Sequence, residues 1–269
     1  MLVITKFGRS GNNLCQILKC IYKNLTEYKH DRILLNELKS KGTPVLANFP
    51  TVMTFPEFAG NPENKMTIKS DFWDIDVQAD SANEIAEKYI VPYINYSTSD
   101  LGYINFEEDL IIHIRSGDVF FPTFNINNYV QPPLWFYKQA ISLRTYNKIY
   151  IVTEGCPFLN PVIYALKNLY DNIVVLDKNP IEVDIRILLN AKWFIHSNTT
   201  LCYIVNLLSK RNDSDGAVYV NGWTSLNNKW RNIKKIETEE YYKIRFTSPQ
   251  HRNITMLTYE NKDETTQIK

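Results

Sequence analysis

Leu110-Ile111-Ile112-His113-Ile114-Arg115-Ser116-Gly117-Asp118 starts as an apolar run and ends in polar and turn-forming residues. A short apolar run closed by turn residues reads as a strand buried on both faces, the kind found in parallel sheets covered by helices. A polar cluster at the carboxyl end of such a strand is where open α/β sheets take their ligands. Arg115 would bring a permanent charge and a planar fork of donors suited to phosphate. Asp118 would fix that fork, and Gly117 lets the backbone turn sharply or approach a ligand closely. A buried Arg115–Asp118 ion pair with no ligand is the competing reading of the same residues.

Downstream of this stretch, strands and helices alternate. Pro132 and Pro133 introduce a helix from Leu134 to Arg144, and Lys148–Thr153 reads as a strand. A helix over Pro161–Tyr170, a strand over Ile173–Leu176 and a helix over Ile181–Ala191 follow. Trp193–His196 is a strand, Thr199–Leu208 a helix and Ala217–Val220 a strand. This alternation predicts βαβ units and a parallel sheet. Beyond Asn227 the tail is charged, with one helix expected near Glu237–Tyr242 before it frays towards Lys269.

Upstream, Leu2-Val3-Ile4-Thr5 reads as a strand running into Gly8-Arg9-Ser10-Gly11-Asn12-Asn13. Leu14, Ile17, Leu18, Ile21 and Leu25 then repeat at helical spacing. Strand, glycine loop and helix form a geometry that offers backbone N–H groups to an anion, although an ordinary tight turn has the same sequence. Ser81-Ala82-Asn83-Glu84 has the form of a capping box, opening a helix to Ile90 that Pro92 ends. The expected fold class is therefore α/β with two halves, 1–95 and 105–225, a cleft between them, and a tail over 226–269 that folds back on the first half.

Composition narrows the function classes. A formal net charge of +1 gives no global argument for nucleic acid or an anionic membrane, so an anion site has to be local. Cys15, Cys20, Cys156 and Cys202 match neither a zinc site nor a disulfide framework. No run of about 18 apolar residues is present, and the first residues lack the pattern of a secretory signal. No membrane span and a cytoplasmic location are the expectations.

Three strand ends gather polar residues: Arg9, Asn12 and Asn13; His113, Arg115 and Asp118; and His196-Ser197-Asn198-Thr199-Thr200. Ser197 and Asn198 suit helix capping. Hydroxyls, free N–H groups and the positive end of a helix dipole also suit a phosphate. Taken together, the three loops favour a phosphorylated or nucleotide ligand.

Ile111-Ile112-His113-Ile114-Arg115-Ser116-Gly117-Asp118 resembles the H-x-R-x-G-D motif of α-1,2-fucosyltransferases and their relatives. Gly8-Arg9-Ser10-Gly11-Asn12-Asn13 is similar to the N-terminal G-R-x-G-N-Q element of that superfamily. Asp184-Ile185-Arg186-Ile187-Leu188-Leu189-Asn190-Ala191, followed by Ser197-Asn198-Thr199-Thr200, resembles its third element.

The resemblance implies a GT-B-like glycosyltransferase with two Rossmann-like halves. It also implies inverting transfer of L-fucose from GDP-fucose to a glycan hydroxyl. Arg115 would bind the donor diphosphate, Asn12 with Arg9 and Gly11 would approach the phosphates and sugar, and Ser197, Asn198, Thr199 and Thr200 would hold phosphate oxygens. Asp184 would lie near the nucleobase. Asp118, His113 and Glu154 are the candidates for a general base, with hydrogen bonding as the other reading of His113. No metal and no cofactor beyond the donor are expected, although Asp74-Ile75-Asp76 and Asp213-Ser214-Asp215 have the D-x-D form. Ser116, where a second basic residue is usual, and Asn13, where Gln is usual, depart from the pattern. The same fold with a UDP- or GDP-linked xylose or hexose is one alternative, and a non-catalytic glycan- or nucleotide-binding module is another. Phe72, Trp73, Phe124 and Tyr129 are candidates for an acceptor wall.

Overall fold

The computed structural model describes residues 1–4, 10–35, 49–62, 68–70, 77–121, 130–209, 216–221, 233–236 and 238–260. The chain divides into two units, Met1–Ser97 with Tyr203–Ser209, and Thr98–Cys202 with Lys210–Lys269.

In the first unit, strands β1 (Leu2–Ile4), β2 (Arg32–Leu34), β3 (Val52–Thr54) and β4 (Ile68–Ser70) form a sheet of order β3-β2-β1-β4. β1 pairs in parallel with β2 and β4, while β3 runs antiparallel at the edge. Helix α1 (Ser10–Lys23) buries Leu14, Ile17, Leu18 and Ile21, the face that the helical spacing predicts. The capping box does not form. Helix α2 (Ala79–Ile85) starts two residues before Ser81, after an extended Gln78 and without a side-chain cap, leaving Asp80 in the first turn. Asp80 there complements the positive end of the helix dipole. Pro92 does not end the helical path directly either. A π-turn over Ala86–Ile90 passes into a 3-10 turn over Val91–Tyr93, where Pro92 occupies the first turn and its missing N–H is tolerated.

The second unit is built on β5 (Leu110–His113), β6 (Ile149–Val152), β7 (Ile173–Leu176), β8 (Trp193–Ile195), β9 (Ala217–Asn221) and β10 (Ile233–Ile236). All adjacent pairs are parallel, and the order is β10-β9-β8-β5-β6-β7. Counted from β5, this is the doubly wound Rossmann order 3-2-1-4-5-6. The chain runs outward from β5 to β7 and then crosses to the other side of β5 at β8. The point where the order reverses, between β5 and β8, is the topological switch point.

Alternate strand residues build the core. Leu110, Ile112 and Ile114, Ile149 and Ile151, and Trp193 and Ile195 share one cluster with residues of four helices. These are α3 (Leu134–Ser142), α4 (Pro161–Leu169) and, from the tail, the short α7 (Glu239–Tyr242) and α8 (Pro249–Thr258). Between α4 and α7 in the chain lie α5 (Ile181–Asn190), which packs against β5, and α6 (Thr200–Leu208). Ile111, Tyr150 and Phe194, of opposite parity along the same strands, are also buried. Burial on both faces is why these strands read as continuous apolar runs.

The tail holds more elements than the one helix expected near Glu237–Tyr242, and the expected fraying towards Lys269 falls on 261–269, outside the described residues. β10 continues the sheet, and Tyr241, Phe246 and Met256 belong to the core cluster of the second unit.

Candidate functional site

β5 carries His113 to the carboxyl edge of the sheet, and β8 ends one residue short of His196 and Ser197. Parallel register sets Ile112 beside Ile195, so the residues that follow them leave the sheet side by side. There His113 Nδ1 lies 2.6 Å from Ser197 Oγ, a buried hydrogen bond across the switch point. Burial, helped by the nearby Arg115 charge, lowers the His113 pKa to about 3. The ring is therefore neutral at physiological pH, and the Ser197 hydroxyl acts on its tautomer.

The Ser-Asn-Thr-Thr loop is held from within. Ser197 Oγ also lies 3.7 Å from the Cys202 thiol, and Thr199 Oγ1 accepts the Cys202 backbone N–H at 3.2 Å. The latter bond is that of an N-cap on α6. Burial drives the Cys202 pKa up to about 11, so its thiol stays protonated. Asn198 and Thr200 are half-buried on the same loop.

Arg115 leaves β5 two residues after His113 and is half-buried. Its carbonyl accepts a hydrogen bond from Asn160 Nδ2 at 3.1 Å. Asn160 is fully buried, and its other amide atom, Oδ1, caps α4 by accepting the Val162 N–H at 3.0 Å. One side chain thus ties the start of a helix to the backbone of the arginine. Ser116, where the motif departs from its usual second basic residue, is fully buried and donates to the Cys156 carbonyl at 2.8 Å. Its hydroxyl fastens the loop after β5 to the loop after β6.

The same two loops approach through glycines. Gly117 has φ +67° and Gly155 φ +68°, a region that favours glycine, and a Cβ on Gly155 would lie 3.6 Å from the Gly117 Cα. Glu154, immediately before Gly155, is half-buried beyond the end of β6.

Asp184 stands in the first turn of α5, after β7, and accepts from Asn179 Nδ2 at 3.1 Å. Burial, working against the Asn179 bond and aided by the charges of Glu154 and Glu182, raises its pKa to about 7. Arg186, in the same segment, forms a two-point ion pair with Asp100 at 2.5 and 2.7 Å.

From the last helix, Arg252 reaches the turn that follows the motif. This buried guanidinium donates from Nη1 to the Val119 carbonyl at 2.9 Å and lies 4.4 Å from the centre of the Phe120 ring. Nothing in the sequence around Arg252 signals this contact. Asn160-Pro161, by contrast, has the form of an N-cap followed by a first-turn proline.

The second unit thus gathers His113, Arg115, Ser197, Asn198, Thr199 and Thr200 around the switch point, with Glu154 and Asp184 farther along the same edge. Arg9 lies outside the described residues. Gly11 and Asn12 fall in the backbone of α1, and Asp118 in the 3-10 turn Gly117–Phe120, with their side chains outside the description. Both D-x-D triplets, Phe72, Trp73, Phe124 and Tyr129 also lie outside it. Among the described residues no helix is long and apolar enough to cross a membrane.

No protein-family model and no curated protein matches the chain. Solved structures of heptosyltransferase WaaC are similar to it. E. coli WaaC with ADP-2-deoxy-2-fluoro heptose is 12% identical, with a TM-score of 0.40, over 86% of this chain and 92% of that chain. E. coli WaaC with ADP is 15% identical, with a TM-score of 0.40, over 87% of this chain and 90% of that chain.

Proposed function

We propose that the chain is a GT-B-like, inverting glycosyltransferase that takes L-fucose from GDP-fucose to a glycan hydroxyl. One observation carries the reading. The His113–Ser197 hydrogen bond joins the loop bearing Arg115 to a hydroxyl-rich helix start at the switch point of a Rossmann-ordered sheet. Switch points are where such sheets bind nucleotides, and a helix start favours the negative charge of a phosphate.

In this reading the bond between the anomeric carbon and the diphosphate breaks as the acceptor oxygen attacks, and the bonding electrons leave with the GDP phosphate. Arg115 and the N–H groups at Asn198–Thr200 stabilise the charge that builds there. Neutral His113 holds Ser197 and, with a pKa near 3, has little drive to take the acceptor proton. Asp118 is the proposed base. The resemblance adds Arg9, Gly11 and Asn12 as donor contacts and assigns the nucleobase to Asp184. It also carries the expectation that no metal is used.

Incubation with GDP-fucose, GDP-mannose, UDP-xylose and UDP-glucose, read as nucleotide release, tests the proposal. Turnover of GDP-fucose with acceptor is expected. Turnover of only another donor would keep the transferase and replace the sugar, and nucleotide binding without turnover would favour a binding module. GDP at a hundred times its Kd should add about 2.7 kcal/mol of apparent stability. Arg115→Ala should lower turnover about 100-fold or more, the scale seen when one donor to a developing oxyanion is removed. A fully active variant would remove Arg115 from the mechanism.

A further inference from the structure

We propose that Gln131 is a specificity-determining residue of the site, its carboxamide hydrogen-bonding to two adjacent hydroxyls of the transferred sugar. The proposal rests on the nucleotide-sugar reading above and deepens it by giving the sugar a contact in the second unit.

Gln131 lies on the connection from β5 to α3, the same connection that Arg115 opens. It is 2% exposed, and neither Oε1 nor Nε2 has a hydrogen-bonding partner among the described residues. Other buried amides of the chain use both ends. Asn160 joins the Arg115 carbonyl to the Val162 N–H, and Asn24 holds both the N–H and the carbonyl of His30. An amide buried with both ends idle costs free energy, and almost every buried polar group in a native protein has a partner. Local sequence cannot supply one to Oε1, because Pro132 and Pro133 have no N–H. Gln131 does not cap α3 either, whose start at Pro133 has no side-chain cap. The two prolines, both buried, also fix the residue. A residue before proline is biased to extended backbone. Pro133 is extended as well, with φ −73° and ψ 161°, and its carbonyl accepts the Phe136 N–H at 3.1 Å. An amide that is idle and held in place is pre-organised for a ligand.

The idle atoms define what that ligand must offer. Oε1 needs a donor and Nε2 an acceptor. An ionised phosphate has acceptors only, so it cannot serve Oε1. Two adjacent hydroxyls serve both atoms, because each hydroxyl donates and accepts. In the reading above Arg115 holds the diphosphate, and the transferred sugar is bonded directly to it. The base also carries donors and acceptors, but that reading gives it to Asp184, beyond β7. The ribose has a diol of its own and is present in the parent nucleotide, which allows an experiment to separate it from the sugar.

Gln131→Met and Gln131→Leu replace the carboxamide by apolar groups of similar size, and two measurements on the full chain without acceptor test the proposal. The first is the urea midpoint of the ligand-free protein. It should stay unchanged or rise in both variants, because replacing an idle buried polar group by an apolar one is neutral or stabilising. The second is affinity for GDP, GDP-fucose and GDP-mannose, and for UDP, UDP-xylose and UDP-glucose. Whichever nucleotide sugar the wild type binds, both variants should bind it about tenfold or more weakly. Affinity for its parent nucleotide should change less than about twofold. A lower urea midpoint in both variants would show that the amide is satisfied within the protein, and overturns the inference. Undiminished affinity for the nucleotide sugar overturns it too, as does an equal loss with the parent nucleotide, which would put the contact on ribose or base. In these three cases the nucleotide-sugar reading stands. Failure of the wild type to bind any of the four nucleotide sugars overturns both.

Discussion

Burial forces His113 and Asp184 towards their neutral forms, and the consequences for stability run in opposite directions with pH. The His113 pKa falls from 6.5 to about 3, so between those values the unfolded chain binds more protons than the folded one. Its contribution is present above pH 6.5 and is lost as the pH falls towards 3. The Asp184 pKa rises from 3.8 to about 7, so the folded chain binds more protons in that interval and stability falls as the pH rises through it. Urea midpoints between pH 4 and pH 8 separate the two. The advantage of wild type over His113→Gln should shrink on acidification, whereas Asp184→Asn should gain on wild type as the pH rises. Differences that stay constant with pH would contradict these ionisation states. Asn160 gives a third residue-scale prediction. Its truncation to alanine removes a helix cap, worth about 1 kcal/mol, and a donor to the Arg115 carbonyl. A buried acceptor left unsatisfied costs about 1–3 kcal/mol. Asn160→Ala should therefore lower stability by about 2–4 kcal/mol in urea unfolding. Asn160→Asp, which keeps the cap oxygen, should lose less. A change below about 0.5 kcal/mol would show that the bridge contributes little.

At the scale of elements, the sequence is most legible where burial is most complete. Leu110–His113, Ile149–Val152 and Trp193–Ile195 are buried throughout, and each stands out as an apolar run. β10 escapes that reading because Lys234 and Lys235 sit in an edge strand, where lysines are common and an apolar face is only partly needed. α8 escapes it because only Arg252 and Met256 of its ten residues are buried, leaving no apolar stripe. The Ser81 box misleads because the helix begins upstream of it, so Ser81 is already helical when a capping residue has to be extended. In the site, the residue types of both polar loops are visible in the sequence. Their meeting is not, because the His113–Ser197 contact spans 84 positions and depends on which strand lies beside β5. α8 also makes a prediction of its own. Arg252→Ala removes a charged donor to Val119 and the contact with Phe120, together worth about 2–4 kcal/mol. Amide exchange at Gly117–Phe120 should speed up accordingly, with smaller changes in β5 itself. Unchanged exchange in that turn would mean that the helix does not hold it.

For the whole molecule, the strand order decides where chemistry can collect. A sheet read in simple succession would separate β5 from β8 by two intervening strands. The reversal sets them side by side and gives each loop of the site a neighbour. The order has a second consequence, in time. β5 is the first strand of its sheet to leave the ribosome, and it is central. β6 then adds to β5, β7 to β6, β8 to β5, β9 to β8 and β10 to β9, so every newcomer finds its partner already made. No strand of the sheet has to wait for one still to be synthesised. The exception lies outside the sheet. Val119 belongs to the turn that follows the first of these strands, and its clamp, Arg252, is among the last described residues to be made. The sheet can grow strand by strand as it emerges, while the turn after β5 is clamped only once α8, downstream of all six strands, has been made.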